Sequence, residues 1–372
     1  MPYESESQAL DAEILSAVQS WACGGAGLDD AQFDDLALRL FAYQLAYNVP
    51  YARYCARLGL LPGALPASWE QIPAVPAAAF KEAAICTFDP AQAVLRFETS
   101  GTTRGTGGLH YMETAALYDA ALLAAFDRNV LPDGARLRYL NLVPNPAQTP
   151  GSSLGYMMAR VGEMRGDGET GWYLSGGELA FDAFEAAVRA AMESDTPVCI
   201  ATTAFALVHA MEAARERGVR FALPRGSRLM ETGGFKGRAR VLDRDELYAR
   251  ACSTFSIAPS AVIAEYGMTE LSSQYYDDLR AGAPAPADRR KVAPPWLRAR
   301  VVAPDGTTQP IGRAGALVHI DLANRSSCIA IATEDVGVRF EDGLLLVGRE
   351  PDAEPRGCSL DAETLEQRSG RP

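Results

Sequence analysis

An alternation in the middle of the chain most constrains its fold. Arg136–Leu142, Val198–Ala201, Ser227–Met230 and Ala261–Glu265 read as short apolar strands, and Glu178–Met192, Phe205–Arg217 and Asp243–Phe255 between them read as helices. Strands that take turns with helices build an α/β protein with a substantially parallel sheet. Upstream, a strand-like run at Ala93–Phe97 meets a Gly/Thr loop and then a helical run, Met112–Asn129. The stretch up to about Leu61 carries apolar residues at helical spacing through Phe33, Leu36, Leu38, Leu40, Phe41 and Leu45, and a Pro- and Ala-rich connector, Leu61–Phe80, follows it.

A second pattern begins after Ala281–Pro295, whose composition predicts an exposed loop. Leu297–Val302, Ala316–Asp321, Val336–Phe340 and Leu344–Val347 are short strands, and Asp305-Gly306 and Asp342-Gly343 are hairpin signals. They predict a small antiparallel β subdomain. The expected division is a helical part at 1–70, an α/β core at 71–290, the β subdomain at 291–348 and a short tail at 349–372.

Composition narrows the function. With 372 residues, 48% of them hydrophobic, the chain can bury one large core or two ordinary ones. A formal charge of −12 repels phosphate backbones, so no nucleic-acid partner is expected, although a nest of backbone N–H groups can still bind a nucleotide on an acidic protein. The longest apolar candidate for a membrane span, Pro197–Met211, is interrupted by Thr202, Thr203 and His209. The acidic opening residues lack a secretory signal's basic and apolar regions, so a cytoplasmic protein is expected. Seven scattered cysteines without a C-x-x-C pair predict reduced thiols. None of the three histidines is spaced to share a metal with a neighbour.

Three segments carry chemistry. Thr99-Ser100-Gly101-Thr102-Thr103-Arg104-Gly105-Thr106 follows a strand and is dense in hydroxyls and glycines, which together can turn donors towards phosphate. It is not a P-loop, because Thr106 stands where the second glycine belongs. In Glu265-Tyr266-Gly267-Met268-Thr269-Glu270, Tyr266 can stack on a base, Thr269 can donate to phosphate and Glu270 can hold a Mg²⁺ that bridges phosphates. In Thr333-Glu334-Asp335-Val336-Gly337, Asp335 can accept from two neighbouring ribose hydroxyls.

In this order, together with Glu231-Thr232-Gly233-Gly234-Phe235 and Gly348-Arg349, these segments resemble the adenylate-forming superfamily of acyl-CoA synthetases, luciferases and peptide-synthetase adenylation domains. Within it the chain is most similar to the LuxE-type acyl-protein synthetases. That likeness is carried by Thr232–Arg238, Ala293–Arg298, Asp321–Asn324 and Arg356–Leu360, and runs from about residue 70 to the C-terminus. The resemblance implies the superfamily's large N-terminal domain with a small antiparallel β subdomain and a truncated C-terminal segment. It implies ATP and Mg²⁺ as cofactors, a carboxylic (fatty) acid as substrate, and an acyl reductase or other acceptor protein as partner. The implied ATP site comprises Thr99, Ser100, Gly101, Thr102, Thr103, Gly105, Gly233, Gly234, Phe235, Tyr266, Gly267, Thr269, Asp335 and Arg349, with Glu270 on the metal.

Cys358 matches the family's acyl-accepting cysteine, and Arg356 beside it could lower a thiol pKa that is ordinarily about 8.5. The superfamily's C-terminal domain, with its catalytic lysine, has no counterpart before Pro372, so another cation is expected to offset the developing charge. Lys236, Arg104 and Arg238 are the candidates. A free-CoA ligase and a non-catalytic nucleotide-binding subunit are the alternatives. Gly151-Ser152-Ser153-Leu154-Gly155 also fits a G-x-S-x-G nucleophile elbow, but Pro144, Pro146 and Pro150 oppose the strand such an elbow needs. The expected role of that segment is to cap a helix beginning near Leu154 or to line the acyl pocket.

Overall fold

The computed structural model describes residues 2–60, 63, 65–99, 107–233, 243–279 and 282–349. The helical N-terminal stretch resolves into α1 (Pro2–Ala22), α2 (Asp30–Tyr47) and α3 (Val49–Arg57). Asp29 and Gln32 form a reciprocal capping box that starts α2. Asn48 ends α2 and caps α3, its side chain accepting from the Tyr51 N–H at 3.1 Å. After β1 (Val75–Pro76), β2 (Leu95–Glu98) and β3 (Leu109–Met112) form a separate two-stranded hairpin, followed by α4 (Ala116–Asn129).

The core then alternates: β4 (Leu137–Pro144), α5 (Ser153–Arg165), β5 (Gly166–Ser175), β6 (Glu178–Leu179), α6 (Phe181–Glu193), β7 (Val198–Thr203), α7 (Ala204–Glu216), β8 (Arg228–Thr232), α8 (Arg244–Phe255) and β9 (Val262–Tyr266). In space the order is β5-β4-β7-β8-β9, all parallel. The chain leaves β4 on one side and returns on the other, so the strand order reverses there. In open α/β sheets ligands bind beyond the carboxyl ends of the strands.

Residues alternate between the two faces. Leu140, Leu142, Val198, Ile200, Leu229 and Val262 pack under α6, α7 and α8. Leu137, Tyr139, Cys199, Ala201, Met230 and Ile263 pack under α4 and α5. Burial on both faces is why these strands read as near-continuous apolar runs.

The antiparallel strands that follow are β10 (Tyr275–Asp277), β11 (Lys291–Val292), β12 (Leu297–Val302), β13 (Ala314–Asp321), β14 (Ala330–Phe340) and β15 (Gly343–Arg349). They continue the same sheet in the order β9-β10-β11-β15-β14-β13-β12, and β1 lies parallel beside β14. Thirteen strands therefore share one sheet among the described residues. The second hairpin signal sits at the two-residue turn that pairs Phe340 with Gly343.

Two expectations need correction. Ala281–Pro295 is not simply exposed: it contains β11, and Arg289 and Lys291 are wholly buried. Lys291 Nζ donates to Asp277 Oδ1 and to the Ala264 carbonyl, both at 2.8 Å, while Arg289 bonds the Val262 and Pro259 carbonyls. Pairing makes their burial tolerable, and composition carries no sign of pairing. β5 was also unforeseen, because its polar, Gly-containing sequence faces solvent near the edge of the sheet. Among the described residues no helix is long and apolar enough to cross a membrane.

Candidate active site

Those of the predicted residues that are described lie at or near the ends of β8 and β9. β8 runs into Gly233, whose φ of +84° is a left-handed conformation that glycine adopts without strain. One strand over, β9 ends in Glu265-Tyr266 and turns at Gly267, where a Cβ would lie 2.5 Å from Glu265 Oε1. Pleating sends Glu265 and Tyr266 to opposite faces of the sheet.

On the Tyr266 side the antiparallel extension supplies a wall. The Tyr266 hydroxyl donates to Asp335 Oδ2 at 2.9 Å and lies 3.1 Å from His319 Nε2. The Tyr275 hydroxyl reaches His319 Nδ1 at 2.8 Å. Burial pushes the His319 pKa down to about 4, so the ring is neutral near pH 7. With Tyr266's one proton directed to Asp335, the consistent arrangement is Nε2–H donating to Tyr266 and Nδ1 accepting from Tyr275. Arg349 Nε donates to Asp335 Oδ1 at 3.1 Å, and Arg349 also pairs with Glu334. Glu334, which stands where the superfamily pattern has glycine, thus helps to hold the arginine in the wall.

The hydroxyl-rich loop is tied to the same place. Thr99 N–H donates to the Gly108 carbonyl at 2.8 Å, and Gly108 N–H donates to Thr99 Oγ1 at 2.7 Å, closing the loop's stem. Glu98 N–H bonds the Gly151 carbonyl at 2.8 Å, beside the start of α5. On β3, buried His110 meets the Thr269 carbonyl through Nδ1 at 2.7 Å. Burial lowers the His110 pKa to about 4; the neutral ring donates that bond from Nδ1. Thr269 Oγ1 in turn lies 3.4 Å from Ser153 Oγ. Ser152 caps α5, its hydroxyl accepting from the Gly155 N–H at 3.0 Å, which agrees with the capping role expected for this segment.

Behind Glu270 lies a cradle of buried side chains. Asn324 Nδ2 donates to the carbonyls of Glu270 at 2.9 Å and Cys328 at 3.0 Å, while its Oδ1 accepts from Ser272. Asp321 accepts from the Ser272 N–H, the Ser273 hydroxyl and the Ala323 N–H. Even so, burial raises its pKa to about 6. Trp296 Nε1 donates to Ser273 Oγ at 3.0 Å. Glu270 itself is 3% exposed. Among the described residues no group of three His, Cys, Asp or Glu side chains could hold a metal. A single carboxylate still fits magnesium that takes its other ligands from phosphate and water.

The structure therefore brings Tyr266, Asp335 and Arg349 together, and holds Thr99 and Thr269 through one hairpin. Gly233 and Gly267 lie at neighbouring strand ends. Ser100, Gly101, Thr102, Thr103, Arg104, Gly105, Gly234, Phe235, Lys236, Arg238 and Cys358 lie outside the described residues. Sequence reasoning missed His110 and His319 as positioning groups, because it sought histidines only at metal-ligand spacing. Trp296, Asp321 and Asn324, which carry part of the sequence likeness, hold the Glu270 carbonyl and the two serines that follow it.

The fold is shared with 2-hydroxyisobutyryl-CoA ligase in complex with 2-HIB-AMP and CoA, at a TM-score of 0.64 and 17% identity over 87% of this chain and 70% of that one. An open conformation of that enzyme matches at 0.61 and 15% identity, covering 87% and 76%. ATP-bound MatB from Rhodopseudomonas palustris matches at 0.50 and 15% identity, covering 71% of this chain and 49% of that chain. No curated protein sequence matches significantly. The family described as acyl-protein synthetase, LuxE, matches residues 177–364, just over half of the chain, and includes the β8–β9 strand ends, Glu270 and its cradle, and Asp335. On this fold and this match, the chain belongs to the LuxE acyl-protein synthetase family.

Proposed function

We propose that this protein activates a carboxylic acid with ATP to an acyl-adenylate and passes the acyl group to a thiol of its own. The observation that carries the reading is the convergence of Tyr266, Asp335 and Arg349 in one wall, with the stem of the hydroxyl-rich loop bound to Thr269 beside it. ATP would lay its adenine between the Gly233–Phe235 strand end and Tyr266, its ribose against Asp335 and its phosphates against Ser100–Gly105. Glu270 would hold the magnesium, which supplies charge neutralisation on the phosphates.

In the first step a carboxylate oxygen attacks the α-phosphorus, a new P–O bond forms and pyrophosphate leaves. The protein's part is to align the reactants and to offset charge. Arg104, Lys236 and Arg238 are the cations proposed for that task. In the second step the Cys358 thiolate attacks the acyl carbon and AMP leaves with the bonding electron pair. Among the described cysteines, burial raises the thiol pKa of Cys55, Cys86, Cys199, Cys252 and Cys328, which makes them poor nucleophiles. The family setting supports an acid of the fatty class, a cytoplasmic protein and an acyl reductase or similar protein as the final acceptor.

Acid-dependent ATP–pyrophosphate exchange tests the first step. Glu270→Gln should cut exchange by at least about a hundredfold while the fold is kept; unchanged exchange would remove Glu270 from the site. Cys358→Ser should keep exchange and lose the hydroxylamine-labile acyl label. Label that persists on another cysteine, or acyl transfer only to added CoA, would overturn the choice of acceptor.

A further inference from the structure

At the edge of the parallel sheet opposite the carboxyl ends of β8 and β9, a cleft of about 570 Å³ lies where α1, α4 and α5 end. Arg136 and Arg165 stand there, immediately before β4 and β5. The floor is apolar: Trp21, Leu131, Pro132 and Met164 line it, and Met164 is 41% exposed. A concave apolar patch rimmed by charge marks a recognition site more than a lone exposed apolar residue does.

The rim is basic. Arg165 is neutralised by Asp127, to which its Nε and Nη2 donate at 2.7 and 2.8 Å. Among the described residues no carboxylate pairs with Arg128 or Arg136, the other two arginines of the lining. The Arg128 guanidinium carbon lies 4.5 Å from the centre of the Trp21 ring. A guanidinium stacked on an indole keeps its N–H edges available and loses little further freedom when a carboxylate takes two of them. The chain has a formal charge of −12, so its own carboxylates are plentiful. Two guanidiniums that line an apolar cleft without any of them are fitted to carboxylates from outside.

The shape selects the guest. Gly24, Gly134 and Arg136 along the edges are exposed, so the cleft covers one side of a guest and does not enclose it. That suits a side chain projecting from a protein better than a free lipid or metabolite, whose sites bury most of its surface. The larger cleft between α7 and α8, about 1080 Å³, mixes Glu212 and Glu246 with its arginines and favours neither sign of charge.

We propose that the cleft beside Trp21 docks an acidic segment of a partner protein. One apolar side chain of that segment sits on the Trp21–Met164 floor, and flanking carboxylates pair with Arg128 and Arg136. The test is fluorescence anisotropy of a labelled peptide, one phenylalanine flanked by glutamates, titrated with the full-length protein. Wild type should bind it at least about tenfold more tightly than peptides with alanine for the phenylalanine or lysines for the glutamates, and salt should weaken it. Arg128→Glu with Arg136→Glu should weaken binding by about thirtyfold or more, and Met164→Asp by about tenfold. Thermal unfolding checks that each variant folds, and Arg136→Glu alone, at an exposed position, should show a smaller loss in the same direction. Absence of binding, equal binding of the acidic and basic peptides, or unchanged affinity in the folded double variant overturns the proposal. A wild-type dimer in sedimentation that the double variant abolishes would assign the cleft to a second copy of this chain. Displacement of the peptide by micromolar dodecanoate would assign it to a small amphiphile. Either result overturns a separate protein as the occupant.

Discussion

Two buried polar regions flank the end of β9, and they are built on opposite principles. Behind Glu270, the side chains of Asp321, Asn324, Ser272, Ser273 and Trp296 answer one another's donors and acceptors. On the other face, the Tyr276 hydroxyl is buried without a partner, and Glu265 is buried with the Thr232 hydroxyl donating to its Oε2. A closed network fixes the shape of a loop, whereas open valences lower stability and leave something for a ligand to satisfy. The contrast sets a satisfied polar network and an unsatisfied phenol within a few residues of one strand.

The strongest way to break this contrast is at its closed side. Asn324→Ala strands the Glu270 and Cys328 carbonyls and the Ser272 hydroxyl, so it should cost about 3 kcal/mol of unfolding free energy. Denaturant titration would measure it; a loss below about 1 kcal/mol would mean that the cradle is not structural. Glu265→Gln should do the reverse near neutral pH. A carboxyl held at about 7 when folded and near 4.3 when unfolded binds more protons in the folded state between those values. Its contribution is therefore favourable at low pH and is lost as pH rises through that window.

Neutral His110 and His319, both lowered to about 4, shift stability in the opposite direction, so the variant must be compared with wild type at each pH. From pH 4.5 to 7.5 the variant should gain on wild type by on the order of a few kcal/mol. A difference that stays constant with pH would show that Glu265 titrates normally. The smallest effect is expected from Ser153→Ala, which loses only a 3.4 Å contact to Thr269 and should keep exchange within about threefold. Complete loss would bring back the hydrolase-like reading of that serine.

Much of this molecule was legible in its sequence, for identifiable reasons. The parallel strands announced themselves because both of their faces are buried, and the antiparallel ones because turn residues punctuate them. β5 was hidden by its solvent-facing polar residues, and β11 by charges whose partners lie far away in the chain. The motifs proposed to bind the nucleotide stood out because each pairs particular side chains at a fixed spacing. Their supports did not: His110 and Thr269 are 159 positions apart, and Tyr266 and Asp335 are 69 apart. Only folding reveals such pairs. Glu265 was overlooked because a carboxylate beside a motif looks like any surface charge until its burial is known.

The last strand, β15, ends at Arg349 in the wall that holds Asp335, and Cys358 follows nine positions later. A leash of that length spans at most about 30 Å when fully stretched. That length bounds how far the proposed acceptor can lie from Arg349. If Cys358 is the acceptor proposed above, a diffusible thiol would compete with a group covalently tied to the site's own last strand.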